Sequence, residues 1–117
     1  MTVNVLFAGI AVADLEAAVE WYERLLGGPP DMSPNETERA WRLTDEAWIY
    51  VVADAERAGK GLFTVMVDDL ADRLEGMRNR GINVGDVETL RPGTRKAVIS
   101  DPEGNQVGFG EAVSPAG

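Results

Sequence analysis

The chain has 117 residues, 44% of them hydrophobic, with eleven basic against twenty acidic side chains and a formal charge of −9. That length suits one folded domain and is short for two, and the acidic balance disfavours nucleic-acid or acidic-membrane partners while favouring a cationic one. Cysteine and histidine are both absent, which excludes disulfides, thiolate or imidazole metal ligands, cysteine nucleophiles and histidine-based triads.

The opening Met1-Thr2-Val3-Asn4-Val5 lacks the basic segment of a secretory signal, and no apolar run is long enough to span a bilayer. The expected location is cytoplasmic. Residues 3–12 alternate as a strand, with Leu6, Ala8, Ile10 and Val12 on one face and Phe7, Gly9 and Ala11 on the other. Asp14 suits an N-cap, and Leu15, Ala18, Val19, Tyr22, Leu25 and Leu26 form one apolar helical stripe that Gly27-Gly28-Pro29-Pro30 ends. A polar stretch, Asp31 to Asn35, leads into a hairpin of Thr37 to Leu43 and Ala47 to Ala53 around Thr44-Asp45-Glu46.

Residues 54–60 are polar and glycine-punctuated, and read as a linker between a first module of about 3–53 and a second of about 61–112. In the second, Gly61 to Val67 predicts a strand, Asp69 a cap, and Leu70, Leu74 and Met77 a helix stripe that ends at Gly81. Val84 to Leu90 predicts another strand. Thr94 to Ser100 and Gln106 to Glu111 predict a hairpin around Asp101-Pro102-Glu103-Gly104-Asn105, a segment assigned to turn structure.

A strand running through V-x-D-L into a helix thus occurs twice, at Val12 and at Val67, 55 residues apart. The hairpins correspond too, with Arg39 matching Arg95. Repeats of this kind cannot each bury an apolar face alone. The expected fold is α+β: two β-α-β-β-β modules forming a curved mixed sheet around a cleft.

V-A-D-L-E-A-A-V-E-W-Y-E-R-L-L-G at 12–27, V-D-D-L at 67–70 and R-P-G-T-R-K-A-V-I-S-D-P-E-G-N at 91–105, in this order and spacing, resemble the vicinal oxygen chelate (glyoxalase/bleomycin-resistance/dioxygenase) superfamily over about residues 5–111. The resemblance implies a divalent metal held in the cleft by His, Gln or Glu. It places the first ligand five residues before each V-x-D valine, at Phe7 and Leu62, and the last at Gly108. None of these offers a side-chain oxygen or nitrogen. Nor do Glu36, Glu38, Asp45, Glu46, Glu88, Glu103 or Glu111 show a converging spacing, so no metal and no cofactor is expected.

An apolar cleft with few polar groups suits a small molecule. The candidate ligand-binding set is Phe7, Gly9, Trp41, Trp48, Tyr50, Leu62, Thr64, Met66, Arg95 and Gly108. Period 2 leaves open whether Trp48 and Tyr50 or Ile49 and Val51 face the cleft, since both pairs are apolar. Trp41 suits either cleft or core. Arg39 and Arg95 suit a ligand carboxylate or an ion pair. Only Tyr50 among groups able to move protons falls near the cleft, so no catalytic residue is assigned.

The expected function is non-catalytic sequestration of an aromatic or cationic ligand, similar to the bleomycin-resistance branch. The alternatives are a metal-dependent lyase, isomerase or dioxygenase with displaced ligands, or a protein-interaction module. Related chains of this length commonly dimerise, so the resemblance also implies a homodimer.

Overall fold

In the computed structural model, which describes residues 1–91 and 93–112, each half of the chain builds one four-stranded mixed sheet and one helix. The first half contains β1 (Leu6–Val12), α1 (Leu15–Leu26), β2 (Met32–Asn35), β3 (Glu38–Thr44) and β4 (Ala47–Ala53), with strand order β1-β4-β3-β2. The second contains β5 (Leu62–Met66), α2 (Leu70–Asn79), β6 (Glu88–Arg91), β7 (Thr94–Ser100) and β8 (Gln106–Ala112), in the order β5-β8-β7-β6. In each sheet the strand before the helix runs parallel to the last strand, and the remaining pairs are antiparallel. The doubled β-α-β-β-β pattern is therefore present. Among the described residues no helix is long and apolar enough to cross a membrane.

Three boundaries differ from expectation. β1 begins at Leu6, leaving Val3 and Val5 exposed before it. The polar stretch after α1 supplies β2, a short exposed edge strand with an irregular register, where Pro34 is tolerated because it need not donate to a ladder. β6 starts only at Glu88, because Val84 packs against the core and Gly85-Asp86 follows it. Pro92, within the resembling motif, lies outside the described residues.

α1 is capped as its sequence suggests: Asp14 Oδ1 accepts from the Ala17 amide at 3.1 Å, and Gly27 closes the helix at φ 88° with its amide on Glu23 O. α2 is not. Asp69 makes no side-chain cap bond and takes Arg73 Nε at 3.0 Å instead, while the Leu70 amide donates to Glu111 Oε1 at 3.1 Å. The cap comes from β8, and Arg95 holds that carboxylate in an ion pair.

The Arg95 guanidinium first, and the Leu70 amide second, hold the Glu111 carboxyl below its ordinary range. A carboxyl depressed in the folded state contributes stability above its unfolded pKa and loses it as pH falls through the folded value. Glu111→Gln should therefore lower the melting temperature at pH 7, and the offset should shrink as pH falls below the usual carboxylate range and through the depressed folded-state value. An offset that stays constant as the pH is lowered would count against this assignment.

One core serves both modules. Ile10, Val12, Tyr22, Leu25, Trp41 and Val51 from the first pack with Leu70, Leu74, Met77, Ile99, Val107 and Phe109 from the second. Trp21 and Tyr22 meet edge to face at 4.8 Å, and Tyr22 lies 6.1 Å from Trp41. The helices lie on this side of both sheets.

A buried polar network fastens the halves together. Asn105, 1% exposed, donates from Nδ2 to Ala11 O (3.0 Å) and Asp101 Oδ2 (2.8 Å), and its Oδ1 accepts from the Gly61 amide at 2.7 Å. Tyr22 Oη donates to Asp101 Oδ2 at 3.0 Å, and Glu103 accepts from the amides of Ala13 and Asp14 at the start of α1. Burial, then the Asp101 carboxylate, pushes the Tyr22 phenol well above its ordinary value, so it remains a donor. The segment read only as a turn is thus also the join between the modules.

Candidate functional site

Side-chain parity decides what each sheet offers to solvent. Ala8, Ile10 and Val12 of β1 and Ile49 and Val51 of β4 point to the helices, so Phe7 and Gly9 share the opposite face with Trp48 and Tyr50. This register puts Ile49 and Val51 in the core and Trp48 and Tyr50 on the outer face. Phe7 stands beside Trp48 and Gly9 beside Tyr50. The Phe7 and Trp48 rings stack with centroids 5.6 Å apart and planes 28° from parallel. Tyr50 lies across Gly9 so closely that a Cβ there would come 2.5 Å from its Cζ. Glycine at position 9 lets the phenol lie flat on the strand.

The second sheet repeats the arrangement. Phe63 and Val65 pack on the core, and Leu62, Thr64 and Met66 face away from it, beside Gln106, Gly108 and Gly110 of β8. The two glycines are again sites of close approach. A Cβ on Gly108 would lie 2.7 Å from Lys96 Cε and 2.8 Å from Thr64 Oγ1, and one on Gly110 would lie 2.8 Å from Met66 Sδ.

Eight of the ten candidate residues therefore form two groups on the outer sheet faces: Phe7, Gly9, Trp48 and Tyr50, and Leu62, Thr64, Met66 and Gly108. Trp41 and Arg95 lie elsewhere. Trp41 is in the core, with Nε1 donating to Gly28 O at 3.0 Å, because it pairs with the inward Ile49. Arg95 is on the helix side, opposite Glu111, whose capping carboxylate it holds. Sequence reasoning missed Lys96, Val98 and Gln106 on the second outer face and Arg42 on the first. Strand parity counted through the hairpin around 101–105 would have found Lys96, which is paired with Gly110.

The outer faces stay open within one chain. Leu62 is 71% exposed, Met66 56% and Phe7 44%, values that large apolar side chains gathered on a sheet face do not keep without a reason. Neither described cavity is lined by any of the eight residues. The larger, about 590 Å³, lies on the helix side between the end of α1, β3 and α2. Several of its charged walls are engaged internally: Arg73 pairs with Asp69, Asp31 accepts from the Arg42 amide, and Arg80 binds the carbonyls of Arg24 and Leu25.

A divalent metal does not fit the outer faces. The ring of Phe7, the alkyl chain of Leu62 and the bare backbone of Gly108 offer no side-chain donor. The Lys96 side chain also lies across Gly108, placing an ammonium where a metal cation would be repelled. Among the described residues no three His, Cys, Asp or Glu side chains gather to hold a metal.

Comparison with known proteins agrees with this architecture. Residues 4–109 match the Glyoxalase/Bleomycin resistance protein/Dioxygenase superfamily. A glyoxalase/bleomycin resistance protein from Catenulispora acidiphila DSM 44928 has a TM-score of 0.89 and 41% identity, over 97% of this chain and 100% of that one. Two more distant structures are similar in fold: an antibiotic-binding protein from Streptomyces sp. CB03234 (TM-score 0.73, 20% identity, 95% and 97% covered) and lactoylglutathione lyase from Agrobacterium tumefaciens (0.72, 21%, 92% of each). No curated protein matches the chain. With the doubled module, the shared core and a match that spans nearly every element, the chain belongs to the glyoxalase/bleomycin resistance/dioxygenase superfamily.

Proposed function

We propose that this protein is a non-catalytic binder of an aromatic small molecule, held without metal between the outer sheet faces of two paired copies. Each chain carries one face of each kind. A two-fold axis that lays the first sheet of one protomer over the second sheet of its partner generates the reciprocal contact, so the pair closes. Two equivalent crevices result, each walled by Phe7, Trp48 and Tyr50 on one side and Leu62, Thr64 and Met66 on the other.

The observation that carries the reading is the stacked Phe7–Trp48 pair, Phe7 exposed and Trp48 half-buried, on a sheet face that has no helix over it. Planar ligands gain about 0.5–1.5 kcal/mol from an aromatic contact beyond the area buried. The antibiotic-binding relative offers a precedent for the fold in such a role. Sequestration needs only affinity, and occupancy would stabilise the folded dimer by linkage.

Trp48→Ala removes half of the stacked pair from a half-buried position. Affinity for planar aromatics should fall about tenfold, the equivalent of one lost aromatic contact of about 1.4 kcal/mol. Calorimetric titration of both proteins with a set of bicyclic aromatics checks this. Binding of equal strength in the variant would remove the aromatic wall from the site.

A further inference from the structure

Lys96, a half-buried lysine on β7, does not turn toward its nearest carboxylate. Its cross-strand neighbour on β6 is Glu88, the partner that charge would favour, yet no ion pair joins them among the described residues. The side chain runs the other way, over β8, where the missing Cβ of Gly108 leaves room. Cε and Nζ come within 2.7 and 3.4 Å of the point that a Cβ would occupy, and Thr64 Oγ1 comes within 2.8 Å of the same point. An ammonium and a hydroxyl therefore converge over bare backbone at the middle of the second outer face.

Neither group has another use. Lys96 Nζ and Thr64 Oγ1 make no side-chain hydrogen bond or ion pair with any described residue. The first sheet, which would cover them in the paired form, presents Phe7, Trp48 and Tyr50. The carboxylate that β3 places on that face, Glu38, lies at the start of the strand beside Asn35, and among the described residues the neighbouring Glu88 forms no ion pair with Lys96. Covering an ammonium without a paired counter-charge is costly, a cost that an anionic ligand removes.

We infer that Lys96 Nζ and Thr64 Oγ1 form an oxyanion-binding pair over Gly108, and that the ligand is a planar aromatic bearing a carboxylate or phenolate. The inference rests on the aromatic crevice proposed above and names its chemistry. The ammonium supplies a charge-assisted hydrogen bond, the threonine hydroxyl supplies a second donor, and the rings of Phe7 and Trp48 hold the aromatic body. The overall charge of −9 would attract cations to the molecule at large, but the one charged group at the centre of this face selects the opposite sign.

The test is calorimetric titration of the full chain with three matched probes at pH 7: 2-naphthoate, 2-naphthamide and 2-naphthylmethylammonium. The inference expects 2-naphthoate to bind at least tenfold more tightly than the amide, and the ammonium to bind most weakly. Lys96→Met should bring the acid-to-amide ratio to about one, and Lys96→Arg should restore it. Equal affinity of acid and amide would overturn the inference while leaving the aromatic crevice standing, as would a ratio that survives in Lys96→Met. Tightest binding of the ammonium probe would overturn it as well. Failure of all three to bind would refute the crevice itself, and this inference with it.

Discussion

Asn105→Ala should lower the unfolding free energy by about 3 kcal/mol or more. Asn105 is a two-sided connector: it receives the Gly61 amide at the start of β5 and donates to Ala11 O at the end of β1 and to the Asp101 carboxylate. Alanine leaves the Gly61 amide and the Ala11 carbonyl without that partner and strips a donor from a buried carboxylate. Each buried group so orphaned costs about 1–3 kcal/mol. A folded domain of this size has only about 5–15 kcal/mol in total, so the shift is large. Urea denaturation checks it, and a loss below about 1 kcal/mol would mean that water replaces the side chain and that the network is not the join between the modules.

The second large effect concerns assembly. Leu62→Asp changes an exposed residue on β5, so the isolated chain should retain its stability within about 0.5 kcal/mol, as surface substitutions commonly do. In the paired form the same carboxylate would be driven into an apolar crevice facing aromatic rings. A buried, unpaired charge costs several kcal/mol, which corresponds to at least about a hundredfold rise in the dimer dissociation constant. Sedimentation equilibrium should show a wild-type dimer and a Leu62→Asp monomer, with aromatic affinity lost along with the dimer. An unchanged oligomeric state, or a monomeric wild type, would contradict the pairing of outer faces.

These two residues also show what the sequence makes legible. Leu62 was placed by counting from the second V-x-D-L, and parity then carried Thr64 and Met66 to the same face. Local periodicity was enough because the motif count fixed which parity of β5 carries Leu62. Periodicity failed for β4, where Ile49, Val51, Trp48 and Tyr50 are all apolar, and only the parallel register with β1 separates them. It failed for Trp41 and Arg95 because both suit cleft and core chemically, and the choice depends on pairing across the sheet. The Asn105 network was invisible for a different reason: its partners are backbone groups at Ala11 and Gly61, which carry no sequence signature. Glu111 escaped notice as the cap of α2 because a cap supplied from another strand lies outside any local motif.

Lys96 belongs to the same class of omission. The positions that the resemblance marks as metal ligands are Phe7, Leu62 and Gly108, and reading them one at a time gives only absence. Seen together, Gly108 is the space into which Lys96 and Thr64 extend. A missing ligand and a lysine two strand steps away form a single feature, and only the β7–β8 register connects them.

If the outer sheet faces bind an aromatic molecule without metal, backbone amide chemical-shift mapping of 2-naphthoate binding in buffer containing a strong chelator should show shifts at Phe7, Gly9 and Trp48 in the first sheet and at Leu62, Thr64, Lys96 and Gly108 in the second, with the helix-side cavity around Gly28 and Arg73 undisturbed. Shifts confined to that cavity, or binding that appears only when a divalent metal is added, would rule out a metal-free site on these faces.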